Sequence, residues 1–242
     1  MCGVVRVAAG KLWRKEVRMT AIEKLTEERD ELRNARIERI LMAAYSLFSH
    51  KGIDAIAMTD IAKQAEIGVA SLYRYFETKD EIAIRTAMWA WECQKKMIIP
   101  TLSTSDYARL DGYTQIEQIL KLFVLLYQTE PDFFRFIYFF DAYVICQQIL
   151  PERLLPYQGV IQSVQTIIAS AIRKGTEDGS ISQEYKSNTD ELYFSLMHTF
   201  FSTAQKLSLS GKMLKMDESN DSVLQLQLLS RLLLCGLKGG RK

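Results

Sequence analysis

One face of a short predicted helix, residues 69–76, has side chains that could recognise DNA. The apolar spacing of the segment buries Leu72 and Phe76, which lie one turn apart. The opposite face carries a small residue, a hydroxyl, an aromatic ring and a cation: Ala70, Ser71, Tyr73 and Arg74. A small, hydrogen-bonding and cationic surface fits the major groove, where base edges are read by such groups.

Catalytic or metal-binding residues do not form a comparable group. The chain has two histidines, His50 and His198, and four cysteines that lie far apart with no C-x-x-C pair. The sequence contains no G-x-S-x-G, H-E-x-x-H, Walker or dinucleotide-binding glycine pattern. We therefore expect no enzyme, no metal and no cofactor, and the scattered cysteines fit the reducing cytoplasm.

The composition is that of a globular chain with few turn residues. Its 242 residues are 48% hydrophobic and 25% charged, with 4 prolines and 12 glycines. So few turn residues argue against an all-β fold and favour helices. The longest uncharged stretch, residues 154–172, is too polar for a bilayer core, so we expect no membrane span.

Basic residues are concentrated at the start of the chain. Residues 1–20 contain five Lys or Arg and a single acid, Glu16, whereas the whole chain has a net charge of +2. The remainder is therefore slightly acidic, and any DNA contact must come from a local patch or an arm. We interpret residues 1–29 as a flexible basic tail with a solvated helix start, in preference to an arm that reaches DNA.

The predicted helix at 69–76 belongs to a group of three. A first helix has an apolar stripe over residues 37–48 and ends at Gly52. Residues 58–65 form a second short helix, separated from the third by a turn of about three residues, which is the helix-turn-helix pattern. We place this domain at residues 30–78, although similar helix pairs also occur in proteins with no DNA role.

Residues 37–84 resemble the N-terminal domain of TetR-family transcriptional regulators. The resemblance depends on D-I-A at 60–62 and on the string L-Y-R-Y-F-x-x-K-x-E at 72–81. A weaker similarity at 168–179 looks like the family's dimer-side helix and its exit turn. The resemblance implies an all-α protein with an N-terminal three-helix DNA-binding domain and a C-terminal helical domain for dimerisation and ligand binding, residues 79–242.

The resemblance also implies roles for individual residues. Tyr73, Tyr75 and Lys79 match positions that usually meet DNA phosphates, and the start of a helix at Lys79 itself favours an anion. Residues 69–71 match positions that normally reach base edges. The expected DNA interface consists of Thr59, Val69, Ala70, Ser71, Tyr73, Arg74, Tyr75 and Lys79.

Four positions depart from the family's commonest pattern. Val69 stands where lysine is frequent, Ala57 where a Ser or Thr cap is usual, and Thr59 where a basic residue is often found. Glu66 replaces the usual turn glycine, either as an acid close to the DNA or as a solvent-facing turn residue. With fewer cations, affinity should depend more on apolar and hydroxyl contacts than on charge.

Apolar stripes predict further helices behind the DNA-binding domain. The expected ranges are 79–99, 116–128, 131–150, 160–174, 190–209 and 222–237, with loops at 101–112 and 211–221. Thr78 and Glu81 should form a capping box at the start of the first of these helices, and Pro100 should end it. Gly175 and Gly179 should close the helix that begins at residue 160.

Residues 131–143 carry aromatic side chains on every face of the helix predicted at 131–150. Such a helix must lie at the centre of its domain or line a cavity. One interpretation is an apolar pocket for a lipophilic effector, and the alternative is a filled aromatic core. The candidate lining residues are Trp91, Phe123, Tyr127, Phe136, Phe139, Phe140, Tyr143, Tyr193 and Met197. Asp141 or His198 could hold a polar ligand group or be a core residue with a hydroxyl partner.

The helices at 160–174 and 190–209 have apolar faces broad enough for their own core and for a partner. Two such helices from each subunit would form a four-helix contact in a homodimer. The candidate contact residues are Val164, Ile168, Ala171, Met197 and Phe201.

These observations together predict a ligand-responsive transcriptional regulator in the cytoplasm. We expect a repressor that binds a palindromic double-stranded DNA operator as a homodimer and is released by a small lipophilic effector. Tilting of the helix at 79–99 should set the spacing of the two recognition helices, about 34–36 Å. The alternative is a DNA-bound adaptor that recruits a protein partner and has no small-molecule ligand.

Overall fold

The computed structural model describes residues 21–210, 215–217 and 219–238, and this part of the chain is all-α. Its α-helices are α1 (Ala21–Lys51), α2 (Met58–Gln64), α3 (Val69–Tyr75), α4 (Lys79–Leu102), α5 (Ser105–Arg109), α6 (Gly112–Thr129), α7 (Pro131–Cys146), α8 (Leu155–Asp178), α9 (Thr189–Ser210) and α10 (Ser222–Leu237). Short 3-10 turns occur at Pro151–Leu154, Gln183–Tyr185 and Lys215–Asp217. In place of a β-sheet, the described residues show one isolated bridge between Ile181 and Lys238.

The chain divides into two contact units within α1, after Glu38. In the first unit, the described side chains from Lys24 onward are exposed except for half-buried Ile37, which agrees with the predicted solvated helix start. The predicted basic tail at 1–20 lies outside the described residues. The predicted domain division at residues 29 and 78 remains a prediction.

The second half of α1 packs with α2 and α3 around a small apolar core. Ile40, Ala44 and Phe48 of α1 are fully buried, as the periodicity predicts. Gly52 ends the helix with a φ of +77°, and its N–H donates to the Phe48 carbonyl at 2.9 Å. A left-handed residue at this point favours glycine because a side chain would be strained there.

Helix α4 connects α1, α2 and α3 to the rest of the chain. The Thr78 hydroxyl accepts the Glu81 N–H at 3.2 Å, but the Glu81 carboxylate accepts the N–H of Glu77 instead of Thr78, so the predicted capping box is shifted by one residue. The helix also continues past Pro100 to Leu102. A proline removes one N–H and crowds the carbonyl four residues earlier, but in the last turn of α4 it does not end the helix.

The predicted loop at 101–112 contains the short helix α5. The Thr104 hydroxyl caps it by accepting the Tyr107 N–H at 3.1 Å. A helix of five residues is too short to show a periodic apolar stripe, and its polar composition alone predicted a loop.

Helix α8 is longer than predicted because Gly175 lies inside it and Gly179, with a φ of +80°, follows its end. Gly175 has a packing role instead, since a Cβ placed on Gly112 of α6 would lie 2.1 Å from the Gly175 nitrogen. The two glycines let α6 and α8 approach closely. Asp178 fixes the same corner by accepting the Gly112 N–H at 3.0 Å.

Helix α7 lies among α4, α6 and α9, and α10 packs against α6 and α9. Phe133, Phe134, Phe136 and Phe140 of α7 are each at most 1% exposed. The helix ends at Cys146 and not near residue 150, because Gln148 adopts a left-handed φ of +51°. Its central position confirms the expectation drawn from its aromatic faces.

Candidate nucleic-acid interface

The turn between α2 and α3 is tight and contains a strained residue. Glu66 has a φ of +54°, in the left-handed region that non-glycine residues adopt at a cost of about 1–2 kcal/mol. Its side chain is exposed, as is that of Thr59 on α2. At the start of α2 the Asp60 carboxylate accepts the Ala57 N–H at 2.9 Å, whereas Ala57 has no side-chain acceptor to return.

The buried side of α3 is the predicted one. Leu72 and Phe76 are fully buried, and α3 packs against α2, whose Ile61 and Ala62 are at most 1% exposed. The guanidinium of Arg85 on α4 lies 4.7 Å from the centre of the Phe76 ring. The orientation of α3 is therefore fixed by its apolar face, and its other side is free to contact a partner.

The outer side of α3 presents residues predicted to reach base edges, together with Tyr73, which was predicted to meet a phosphate. Val69 is 37% exposed, Tyr73 is 50% exposed, and Ala70 is also exposed. One guanidinium nitrogen of Arg74 donates to the Ser71 hydroxyl at 2.9 Å. This contact orients an arginine that can bind guanine in the major groove through two hydrogen bonds.

The two residues assigned to phosphates at the end of the motif are less exposed. Tyr75 is half-buried, and Lys79 is half-buried at the first turn of α4. The Lys79 ammonium donates to the carbonyls of Ile53, Asp54 and Ile56 at 3.0, 3.2 and 3.2 Å. It therefore holds the segment that follows α1, and the predicted phosphate contact would compete with these three bonds.

A polar cluster joins the first turn of α4 to α7 and the 3-10 turn after it. The Tyr143 hydroxyl donates to one Asp80 oxygen at 2.7 Å, and Arg153 donates to the other at 2.8 Å. Burial opposes ionisation of Asp80, but these two hydrogen bonds, together with the positive charges of Arg153 and Lys79, outweigh it and lower its pKa. We call Asp80, Tyr143 and Arg153 the Asp80 latch.

Further contacts beside the Asp80 latch connect α7 to α1 and to the segment that follows α1. Gln147 donates to Asp54 at 3.0 Å, and the Lys79 ammonium lies 5.6 Å from the centre of the Tyr143 ring. Phe136 stacks on Phe48 of α1 with ring centres 6.5 Å apart. Sequence reasoning missed this connection because its partners are about 60–90 residues apart and belong to no motif.

The residues predicted to line a ligand pocket are mostly packed against one another. Eight of the nine are at most 8% exposed and Phe139 is half-buried. Trp91 packs edge-on against Phe133 at 4.9 Å, and both Trp91 and Phe123 contact Phe201. Phe140 contacts Tyr157 at 4.9 Å, and the Trp91 indole donates to the Tyr157 hydroxyl at 3.2 Å. In this conformation the rings fill the core, and the pocket remains a prediction.

The two polar residues considered as ligand anchors both lie at the surface. The Asp141 carboxylate accepts a hydrogen bond from Gln205 at 3.3 Å, and the surrounding protein, by limiting its contact with water, raises its pKa to about 6. His198 is exposed on α9, with its ring 5.6 Å from that of Phe194. Neither is a core residue.

Most residues assigned to the dimer contact lie inside their own chain. Val164, Ile168, Ala171 and Met197 are at most 8% exposed, and Phe201 is half-buried. An apolar stripe in the sequence indicates that a helix face is buried but not what buries it. The residues chosen from the stripe are therefore mainly those that face the chain's own core. On α9, the exposed apolar residue is Phe194, at 47%.

Two kinds of site are missing from the described ranges. No group of three or more His, Cys, Asp or Glu side chains there could hold a metal ion. None of the helices described has the length and apolar character that crossing a membrane requires.

Comparison with known proteins agrees with this architecture. Residues 40–86 match the family of bacterial regulatory proteins named after TetR. IcaR of Staphylococcus aureus, described as the biofilm operon icaADBC HTH-type negative transcriptional regulator, is 29% identical over 105 residues, which are 40% of this chain and 56% of IcaR. The chain thus matches about half the length of these curated relatives.

Solved structures resemble a larger share of the chain. A TetR transcription regulator from Haloarcula marismortui has a TM-score of 0.64 at 16% identity, covering 85% of this chain and 99% of that one. The fatty acid degradation regulator FadR from Bacillus halodurans has a TM-score of 0.62 at 16% identity, covering 82% and 94%. These likenesses show the fold. In the matched helices at residues 40–86 and in the fold of the helices that follow them, the chain is similar to the TetR family of bacterial regulatory proteins.

Proposed function

We propose that the chain is a repressor that binds a palindromic operator as a homodimer and dissociates from it when a small apolar effector binds. The outer side of α3 carries this proposal, because its exposed residues combine base-reading groups with a fixed orientation. The relative IcaR is described as a negative regulator, which supports repression over activation. The protein would act in the cytoplasm, where DNA is accessible.

Recognition in this proposal depends on few charges. Arg74 reads a base edge with Ser71 holding its guanidinium, and Tyr73 contacts the backbone or a thymine methyl group. The acids Glu66 and Asp60 are exposed on the same three-helix domain, which lowers the electrostatic attraction to DNA. Affinity should therefore fall less steeply with salt than for a strongly basic regulator.

A homodimer supplies the second recognition helix. Two half-sites on one face of the duplex require recognition helices about 34–36 Å apart. Helix α4 and the Asp80 latch together hold each DNA-binding domain against the helices behind it. An effector that binds better to a conformation with a different spacing would release the DNA, because a ligand indifferent to conformation shifts no equilibrium.

A mobility-shift assay on the DNA beside the chain's own gene tests the proposal. Wild type should bind this DNA more tightly than random DNA, and Arg74→Ala should weaken specific binding by about 1–3 kcal/mol. The matched control is Arg109→Ala, since Arg109 lies on α5 with its side chain 79% exposed and should leave binding unchanged. Equal losses for Arg74→Ala on operator and random DNA would show that α3 reads no sequence.

The filled aromatic core favours a second candidate, the DNA-bound adaptor without a small-molecule ligand. Helix α10 exposes Leu224, Leu228 and Leu232, at 48%, 47% and 71%, on one stripe. If the adaptor function is correct, Leu228→Ser with Leu232→Ser should abolish regulation in cells while purified protein still binds the operator. If the effector function is correct, a metabolite library should contain a compound that releases the DNA.

A further inference from the structure

A cavity of about 290 Å³ lies between α1, α4 and the junction of α6 with α7, outside the aromatic core. Its lining includes Tyr45, Trp89, Ala90, Gln94, Met97 and Glu130. We call it the α1–α4 cavity. Its volume is near the lower limit of ligand pockets and about twice that of cavities known to hold benzene.

The two tryptophans of α4 pack on different sides of the helix. Trp91 is 6% exposed and packs into the aromatic core, whereas Trp89 contacts Tyr45 of α1 with ring centres 5.6 Å apart. Tyr45 also contacts Phe136 edge-on at 5.3 Å. The cavity therefore has aromatic walls that belong to a DNA-binding helix on one side and to the connecting helix on the other.

The hydroxyl of Tyr45 is buried, and no protein atom among the described residues accepts or donates a hydrogen bond to it. A buried hydroxyl without a partner costs about 1–3 kcal/mol, so such groups are normally satisfied. Burial, with the nearby carboxylates of Glu130 and Asp132, raises the pKa of Tyr45, so its proton stays available to donate. Because the Tyr45 side chain lines the cavity, a ligand that displaces its ring would supply the missing partner.

The charges around the cavity are mainly negative. Glu130 lines it, whereas Asp132 is close but paired with Arg135 at 2.9 Å, so the negative charge of the lining comes from the Glu130 carboxylate. Such surroundings attract cations and repel anions. Gln94, only 8% exposed, adds an amide to the lining.

We propose that the α1–α4 cavity binds a small one- or two-ring aromatic molecule, neutral or positively charged, that forms a hydrogen bond with the Tyr45 hydroxyl. Binding itself does not require DNA. Its regulatory consequence rests on the proposed function: an occupant between α1 and α4 would change the angle between the DNA-binding helices and α4, and would thereby shift operator affinity.

The test uses full-length protein without DNA and three probes of one shape and different charge: tryptamine, indole and indole-3-acetate. Protein labelled with 5-fluorotryptophan reports binding by ¹⁹F NMR, and Trp89→Phe assigns the Trp89 signal. We expect the Trp89 signal to shift, with tryptamine binding more tightly than indole and indole more tightly than indole-3-acetate. No shift with any probe, as for a cavity that holds only water, would overturn the proposal.

Two matched substitutions locate the site. Tyr45→Phe removes only the hydroxyl and should weaken indole binding about three- to tenfold, the loss expected for one hydrogen bond. The fold should survive, because no protein group loses a partner. Tyr138→Phe removes a hydroxyl from a residue of α7 that is 43% exposed and should bind indole like wild type. Equal affinities for the two variants would place the probes elsewhere. A protein that binds the probes but no operator would contradict the proposed function and leave this site intact.

Discussion

The Tyr143 hydroxyl lies 2.7 Å from a carboxylate oxygen of Asp80, and this hydrogen bond joins α7 to the first turn of α4. The same carboxylate accepts a hydrogen bond from Arg153, in the 3-10 turn after α7. Together with the hydrogen bond from Gln147 to Asp54, these contacts add a connection between α7 and the DNA-binding helices to the one that α4 makes. A displacement of α7 along its axis would act on Asp80 directly, in addition to any tilt of α4.

Removing the Tyr143 hydroxyl should loosen this connection. We expect Tyr143→Phe to lower the free energy of unfolding by about 1–2 kcal/mol, near the lower end for hydrogen bonds to charged groups because Asp80 is partly exposed. Operator affinity should fall as well, because two loosely held recognition helices must be ordered on binding. Urea unfolding and mobility shifts measure the two effects, and Tyr138→Phe should change neither.

Acid should release the Asp80 latch. The pKa of Asp80 is lowered in the folded chain, so its contribution to stability is fully present above its unfolded value of about 3.9. That contribution is lost as the pH falls through the lowered folded pKa. The difference in unfolding free energy between wild type and Asp80→Asn should therefore be constant from pH 7 to pH 5 and shrink below pH 4. If the difference in unfolding free energy grew below pH 4 instead, folding would raise the pKa of Asp80 and not lower it.

The sequence predicted the DNA-binding helices well, and the reason is their local character. Leu72 and Phe76 lie one turn apart, and Gly52 marks a helix end, so spacing alone locates the buried side of α3 and the end of α1. The role of Lys79 was not predictable in this way. Its ammonium reaches carbonyls more than 20 residues earlier, and no pattern records such a contact.

Lys79 should contribute to stability as well as to DNA binding. Lys79→Met keeps the apolar stem but leaves three carbonyls without their donor, so we expect a loss of about 1–2 kcal/mol in unfolding free energy. Binding should weaken equally on operator and random DNA, with an unchanged dependence on salt. The phosphate contact predicted from the sequence would instead be supported by unchanged stability and a weaker salt dependence. The slope of log affinity against log salt concentration would then be smaller by about 0.9.

Relief of the strain at Glu66, in the turn between α2 and α3, should stabilise the folded chain and strengthen DNA binding. Glu66→Gly removes a side chain from a left-handed position, and we expect a gain of about 1 kcal/mol. It also removes an acid from the domain that meets DNA, so operator affinity should rise most at low salt. Gln148→Gly is the matched control, since Gln148 has a similar φ of +51° in the segment after α7. It should gain stability without a change in DNA binding.

The interior of the helical domain shows where periodicity misleads. Ile168 and Phe123 lie on apolar stripes, and the stripe does not tell whether it faces the chain's own core, a ligand or a second subunit. The structure places both in the core, at 2% and 1% exposure. Glycine patterns are ambiguous for the same reason: Gly175 permits contact with Gly112, while Gly179 ends the helix.

The exposed side of α9 gives the sharpest test of dimer formation. Phe194 is 47% exposed, so Phe194→Glu should leave the fold intact and, if α9 lies at the interface, yield monomers by light scattering and lose operator affinity. Ile168→Glu should instead unfold the chain, because Ile168 is buried within its own subunit. Tyr138→Glu, on α7 with 43% exposure, should remain dimeric. A dimer that survives Phe194→Glu but dissociates with Leu232→Glu would place the interface on α10, where the exposed leucine stripe would then serve a second copy of the chain instead of another partner.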